Sequence, residues 1–135
     1  MVLISPLSVP QTKTKNFILN LNVYRNAHFH VLNKAKINYK AIMLEQIIKL
    51  NPINEPMCIT YTLYPKRLCD ISNILTVHDK FFCDALTELN KIPDDNYKYV
   101  PKVFFEFGEV DKVNPRVEIS INVIKETHEN HHITR

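Results

Sequence analysis

The 135-residue sequence contains no tryptophan and only one glycine, Gly108. A single glycine excludes the glycine-rich loops that cradle nucleotide phosphates. No run approaches the roughly 20 apolar residues of a membrane-spanning helix, so no membrane partner is expected. The opening MVLISPLSVP is apolar, but Pro6 and Pro10 interrupt it. It has neither a basic start nor a cleavage site, so it does not read as a signal peptide. The three cysteines, Cys58, Cys69 and Cys83, are odd in number and lack C-x-x-C spacing. That argues against a disulfide framework or a zinc site and for reduced thiols in the cytoplasm. No sign of charge dominates, since 17 Lys and Arg stand against 14 Asp and Glu for a formal net charge of +3. This balance is compatible with nucleic-acid binding without arguing for it.

Internal repeats and Gly/Ser linkers are also absent, so residues 1–135 are expected to form one domain around one core. Hydrophobic residues make up 45% of the chain and charged ones 23%, ordinary values for a globular protein. Residues 1–14 read as an N-terminal arm. Phe17, Leu19, Leu21 and Val23 alternate, which predicts a strand. Residues 24–33 read as a loop carrying Arg25, His28 and His30. Ile37, Ala41, Leu44, Ile47 and Ile48 form an apolar stripe that predicts a helix over 34–50. Alternation predicts strands over 57–64, 98–107 and 117–123. The segment from Phe107 to Pro115 reads as a hairpin connection in which Gly108 is free to take a positive φ. Residues 126–135 form a polar tail. The expected architecture is α+β, in the order β-α-β-α-β-β, with two main helices packed on one face of a four-stranded mixed sheet.

The stretch over residues 69–99 organises the rest. Ile74, Val77, His78, Phe81, Phe82, Ala85, Leu86 and Leu89 recur at helical spacing, so a helix lies between Asp70 and Pro93. Asn73, Lys80 and Asp84 fall on its opposite side. Ser72 is a candidate N-cap, and Asp70 lies in the approach, where a helix dipole favours a carboxylate. Asp94-Asp95-Asn96 follows Pro93 as a turn. An Asp before a helix is most often a cap, and an acidic pair after a proline is most often a solvated turn. Lys66 and Arg67, just upstream, suit either a surface loop or a phosphate contact.

In order along the chain stand Asp70-Ile71-Ser72-Asn73, Lys80, Asp84-Ala85-Leu86 and Asp94-Asp95, with Asn22-Val23-Tyr24-Arg25 upstream. This arrangement resembles the RusA family of Holliday-junction resolvases, whose core pattern is D-x-D-N, a helix bearing a lysine, D-A-L, and D-D. The resemblance covers roughly residues 16–125. It implies a homodimeric, Mg²⁺-dependent endodeoxyribonuclease that resolves branched DNA by paired nicks, with Mn²⁺ able to substitute. If the gene is phage-borne, the site of action is the cytoplasm of the bacterial host. Asp70 and Asp95 would hold the metal, with Asp94 and Asp84 in support and Ser72 acting through a water. Lys80 would stabilise charge on the phosphate. Arg25, Lys34, Lys36, Lys66, Arg67 and Asn73 would contact DNA. Two departures stand out. Ser72 replaces the family's second acid, and the span from Asp70 to Asp84 is about one helical turn longer than the family's. The serine motivates an alternative, a RusA-like protein that binds branched DNA or a protein partner without cutting. Without the resemblance, a small α+β interaction domain remains.

Overall fold

A computed structural model of the chain describes residues 1–125; the polar tail expected over 126–135 lies outside them. The elements are β1 (Val2–Ser5), β2 (Ser8–Pro10), β3 (Asn16–Ile18), α1 (Leu21–Asn26), α2 (Phe29–Ile47), β4 (Met57–Tyr64), α3 (Ile71–Glu88), β5 (Lys102–Phe107) and β6 (Arg116–Val123). The fold is α+β. A four-stranded mixed sheet in the order β1-β6-β4-β5 carries two main helices, α2 and α3. β4 runs parallel to β5 and antiparallel to β6, which also pairs with β1. No helix of the described residues is long and apolar enough to cross a membrane.

The strands predicted over 57–64 and 117–123 form because their apolar residues recur every second position. Met57, Ile59, Tyr61 and Leu63 are buried under the helices, while Cys58, Thr60, Thr62 and Tyr64 are half-buried on the other face. α3 buries Leu75, Val77, His78, Phe81, Phe82, Cys83, Ala85 and Leu86. It ends well before Pro93, because Asn90 adopts a left-handed φ of 58° and Lys91 N–H returns to the Leu86 carbonyl.

The N-terminal half departs from expectation. The arm is not a free arm. Leu3 and Ser5 are buried, and β1 forms one edge of the main sheet. The strand predicted from Phe17 to Val23 stops after Ile18 and pairs only with β2 in a separate two-stranded sheet. The reason is local. The Asn20 side chain accepts the Val23 N–H at 2.8 Å and starts a helix where the alternation would have continued a strand. His28 does the same for α2 by accepting the His30 N–H at 3.3 Å, so the expected loop over 24–33 is two helix ends.

α2 also turns a different face to the core. Ala35, Tyr39, Met43 and Ile47 are buried, whereas Ile37, Ala41, Leu44 and Ile48 are exposed. Tyr39 decides this choice, because its hydroxyl has a buried partner in Ser5 Oγ at 2.7 Å. α2 and α3 are further joined at their surface by Lys36–Asp84 and Lys40–Glu88 ion pairs.

The link from β5 to β6 is not a hairpin, since β4 lies between those strands. It crosses the end of β4 through Gly108 N–H to Leu63 O and Asp111 N–H to Pro65 O, both at 2.8 Å. Gly108 does not use a positive φ. Its need is proximity, because a Cβ there would stand 2.5 Å from the Tyr64 ring. The Arg116 guanidinium lies 4.1 Å from the centroid of that ring, tethered by Asp111 and Glu118.

Candidate nucleic-acid interface beside the start of α3

Asp70, rather than Ser72, is the N-cap of α3. Its Oδ1 accepts the Ser72 N–H at 3.1 Å and the Ser72 hydroxyl at 3.0 Å. Ser72 therefore orients the Asp70 carboxylate. The chain reaches this point from β4 through Pro65 to Cys69, a short connection that leaves Lys66 and Arg67 exposed.

A cavity of about 720 Å³ opens against this connection. Lys66 and Arg67 form one wall, Asn73 comes from the first turn of α3, and Lys15, Asn16 and Asn20 come from around β3. The groove thus gathers three cations and three amides, and no carboxylate lines it among the described residues. Cations neutralise phosphates and release their counterions, and amides can donate to phosphate oxygens. Lys66, Arg67 and Asn73 are legible from sequence. Lys15 and Asn16 are not, because they reach the groove only when the β2–β3 hairpin folds beside the start of α3. The TKTK run in the arm is the signal that could have marked them.

Asp70 sits in an adjoining hollow that shares Pro65 and Cys69 with the groove. The other predicted acids do not join it. Asp84 follows Asp70 by fourteen residues on one straight element, a separation of about 20 Å at 1.5 Å per residue. Asp95 belongs to the Asp84 end. Its carboxyl pKa is raised first by burial, then by the Asp94 side chain, with Asp84 adding to the effect. Asp94 is itself engaged by the Asp95 N–H at 2.7 Å and by the Asn96 amide. Within one chain the acids therefore form two separate sets, at opposite ends of α3. One Mg²⁺ with ligand bonds of about 2 Å cannot join them. Among the described residues, no group of three or more His, Cys, Asp or Glu is placed to hold a metal ion. The predicted ligand set thus does not fit Mg²⁺ in a single chain.

The remaining candidates are dispersed. Asp84 is paired with Lys36 at 3.6 Å. Lys80 is exposed two to three turns along α3, with its ammonium 5.8 Å from the Tyr24 ring centroid. Arg25 on α1 and Lys34 on α2 are exposed but do not line the groove. A polar cluster that sequence reading missed lies under the sheet face. Tyr61 donates its hydroxyl to Asp79 Oδ1 at 2.8 Å, and the Cys83 thiol donates to the same oxygen at 3.4 Å. Burial and then Asp79 push the Cys83 thiol well above its usual range, so it stays protonated and unreactive.

No protein-family model matches this sequence, and no curated protein matches it.

Proposed function

We propose that this chain is a RusA-like protein that grips branched DNA through the groove beside the start of α3. The observation that carries the reading is the convergence of Lys15, Lys66 and Arg67 with Asn16, Asn20 and Asn73 in a cavity without a lining acid. The cations supply affinity through phosphate, and the amides set the position of the backbone. Branch selectivity comes from shape, since a junction presents phosphates of two helical arms at once.

Fluorescence anisotropy with a synthetic four-way junction tests this. Replacing Lys15, Lys66 and Arg67 with alanine together is expected to weaken binding about tenfold or more and to lower the salt slope by roughly 3, one counterion step for each lost contact. All three side chains are exposed, so the fold is retained. Wild-type affinity in the triple variant, or equal affinity for the junction and a linear duplex, would overturn the reading.

A second reading, Mg²⁺-dependent nicking, is favoured by one observation: Asp70 is exposed, oriented by Ser72, and next to the groove. Mg²⁺ is commonly held by one or two carboxylates together with substrate phosphates. A further carboxylate would have to come from a second copy, because α3 keeps this chain's own Asp95 away. Wild type in Mg²⁺ is expected to leave paired symmetric nicks in the junction, and Asp70→Asn to leave none. Asparagine caps helices as well as aspartate does, so the variant keeps α3 intact. Equal nicking by both proteins removes Asp70 from the chemistry.

A further inference from the structure

We propose that a second pocket, between the β2–β3 hairpin and the corner where α1 meets α2, takes an unpaired nucleotide of the branched DNA, with exposed rings at the start of α2 completing it. The inference rests on the groove reading and names the part of the branch that the protein recognises.

Charge along the chain favours this end of the molecule for a nucleic acid. The first acidic residue is Glu45, and before it stand Lys13, Lys15, Arg25, Lys34, Lys36 and Lys40. Lys36 and Lys40 are occupied by ion pairs with α3. Lys13, Lys15, Arg25 and Lys34 are exposed, on the hairpin and on the two helices that frame the pocket. A strand laid across these elements meets cations and none of their own carboxylates.

The pocket has a volume of about 330 Å³. That is the small end of the roughly 300–1,000 Å³ in which proteins hold small molecules. It adjoins the groove, because Lys15, Asn16 and Ile18 line both. Phe17, Ile18, Val23 and Val31 give it apolar walls, and Gln11, Asn16 and Asn26 bring amides. A nucleobase has the matching form: flat apolar faces and a rim of donors and acceptors. The Asn26 Nδ2 donates to the Asn22 carbonyl at 2.8 Å, which leaves its Oδ1 to accept from a base edge. An amide can both donate and accept, so the pocket does not specify one base.

His28 lines the pocket and opens a row of exposed rings. The His28 and Phe29 centroids lie 4.8 Å apart, and those of Phe29 and His30 3.9 Å apart. Phe29 is 61% exposed, so its ring serves the core little. Rings left in solvent beside cations are what single strands stack their bases on. A duplex keeps its bases paired within its own stack and can use neither the rings nor the pocket.

Fluorescence anisotropy with two four-way junctions tests the proposal. One carries a single unpaired thymidine at the branch point, and the other an abasic residue in the same place. Wild type is expected to bind the first about tenfold more tightly, the order of one base–ring stack. Phe29→Ala removes the stack, and Ala27→Phe puts a ring where the base would sit. Each variant is expected to bind both junctions alike, with the salt slope of wild type. Lys66→Ala with Arg67→Ala is expected to weaken binding of both junctions equally and to keep the ratio between them. Thermal melting reports the fold of each variant. Equal wild-type affinity for the two junctions overturns the pocket assignment and leaves the groove reading in place. A preference for thymidine that survives both Phe29→Ala and Ala27→Phe puts the base elsewhere and overturns it too. Failure to bind either junction removes groove and pocket together.

Discussion

Lowering the pH from 7 to 4 is expected to remove roughly 3 kcal/mol of stability through one residue, His78. Its ring is fully buried on α3, where Nδ1 is bonded to Ser5 Oγ at 2.8 Å and Nε2 has no partner among the described residues. The second atom to reach Ser5 is the Tyr39 hydroxyl, so strand β1, helix α2 and helix α3 meet on one small polar cluster without a charged group in it. Burial lowers the His78 pKa from 6.5 to about 3. Above the unfolded value near 6.5 both states are neutral there, and the contribution is fully present. Below it the unfolded chain takes up a proton that the folded chain refuses. Stability therefore falls through the window from about 6.5 down to about 3. Urea unfolding of wild type and His78→Gln as a function of pH checks this. Between pH 6.5 and 4 the wild-type slope should be steeper by roughly 1.4 kcal/mol per pH unit. Parallel slopes would place the acid sensitivity elsewhere.

Phe81→Ala is expected to cost about 3–5 kcal/mol, the range for emptying a buried aromatic site. The Phe81 ring lies between Phe17 of β3, Tyr24 of α1 and Tyr39 of α2, with centroids 6.2, 6.3 and 5.6 Å away. It is thus the contact through which α3 holds three other elements. Two of those elements border Asn16 and Asn20, so the groove wall should loosen with the core. Chemical denaturation and junction binding should then fall together. A loss below about 1 kcal/mol would mean that the neighbouring rings collapse into the space, and that α1 does not depend on Phe81 for its position.

How much of this was legible in the sequence differs between the two halves of the chain. β4 buries every second residue along its length, β6 turns Val117, Ile119, Ile121 and Val123 to one face and buries the first two, and α3 buries one contiguous face, so a period of two or of 3.6 identifies each unaided. The pairing of β4 with β5 in parallel is not written in either strand, and it turned an expected hairpin into a crossover. In the N-terminal half, Asn20 and His28 start helices with single side-chain hydrogen bonds, and one such bond overrides four alternating residues. α2 carries two stripes, and the more apolar of them, Ile37, Ala41, Leu44 and Ile48, is the one left outside. Tyr39 is the residue whose hydroxyl required a buried partner, and Ser5 is 34 positions away.

The candidate site divides in the same way. Lys66, Arg67, Asn73 and Asp70 come together because they sit within eight consecutive residues around one helix start. Asp70 and Asp95 were expected to meet because the motif sets them in order, but order along a chain does not shorten a rigid helix. Residue types and their local spacing determined which segments are strands and helices, and which charges lie at the mouth of α3, because those depend on neighbours a few bonds away. Which face of α2 is buried, that β5 is an edge, that the arm is a strand, and that the acids stand at opposite ends were decided only by the tertiary structure. Each depends on which distant surface wins the competition for burial, and that free energy is a property of pairs of elements rather than of either one.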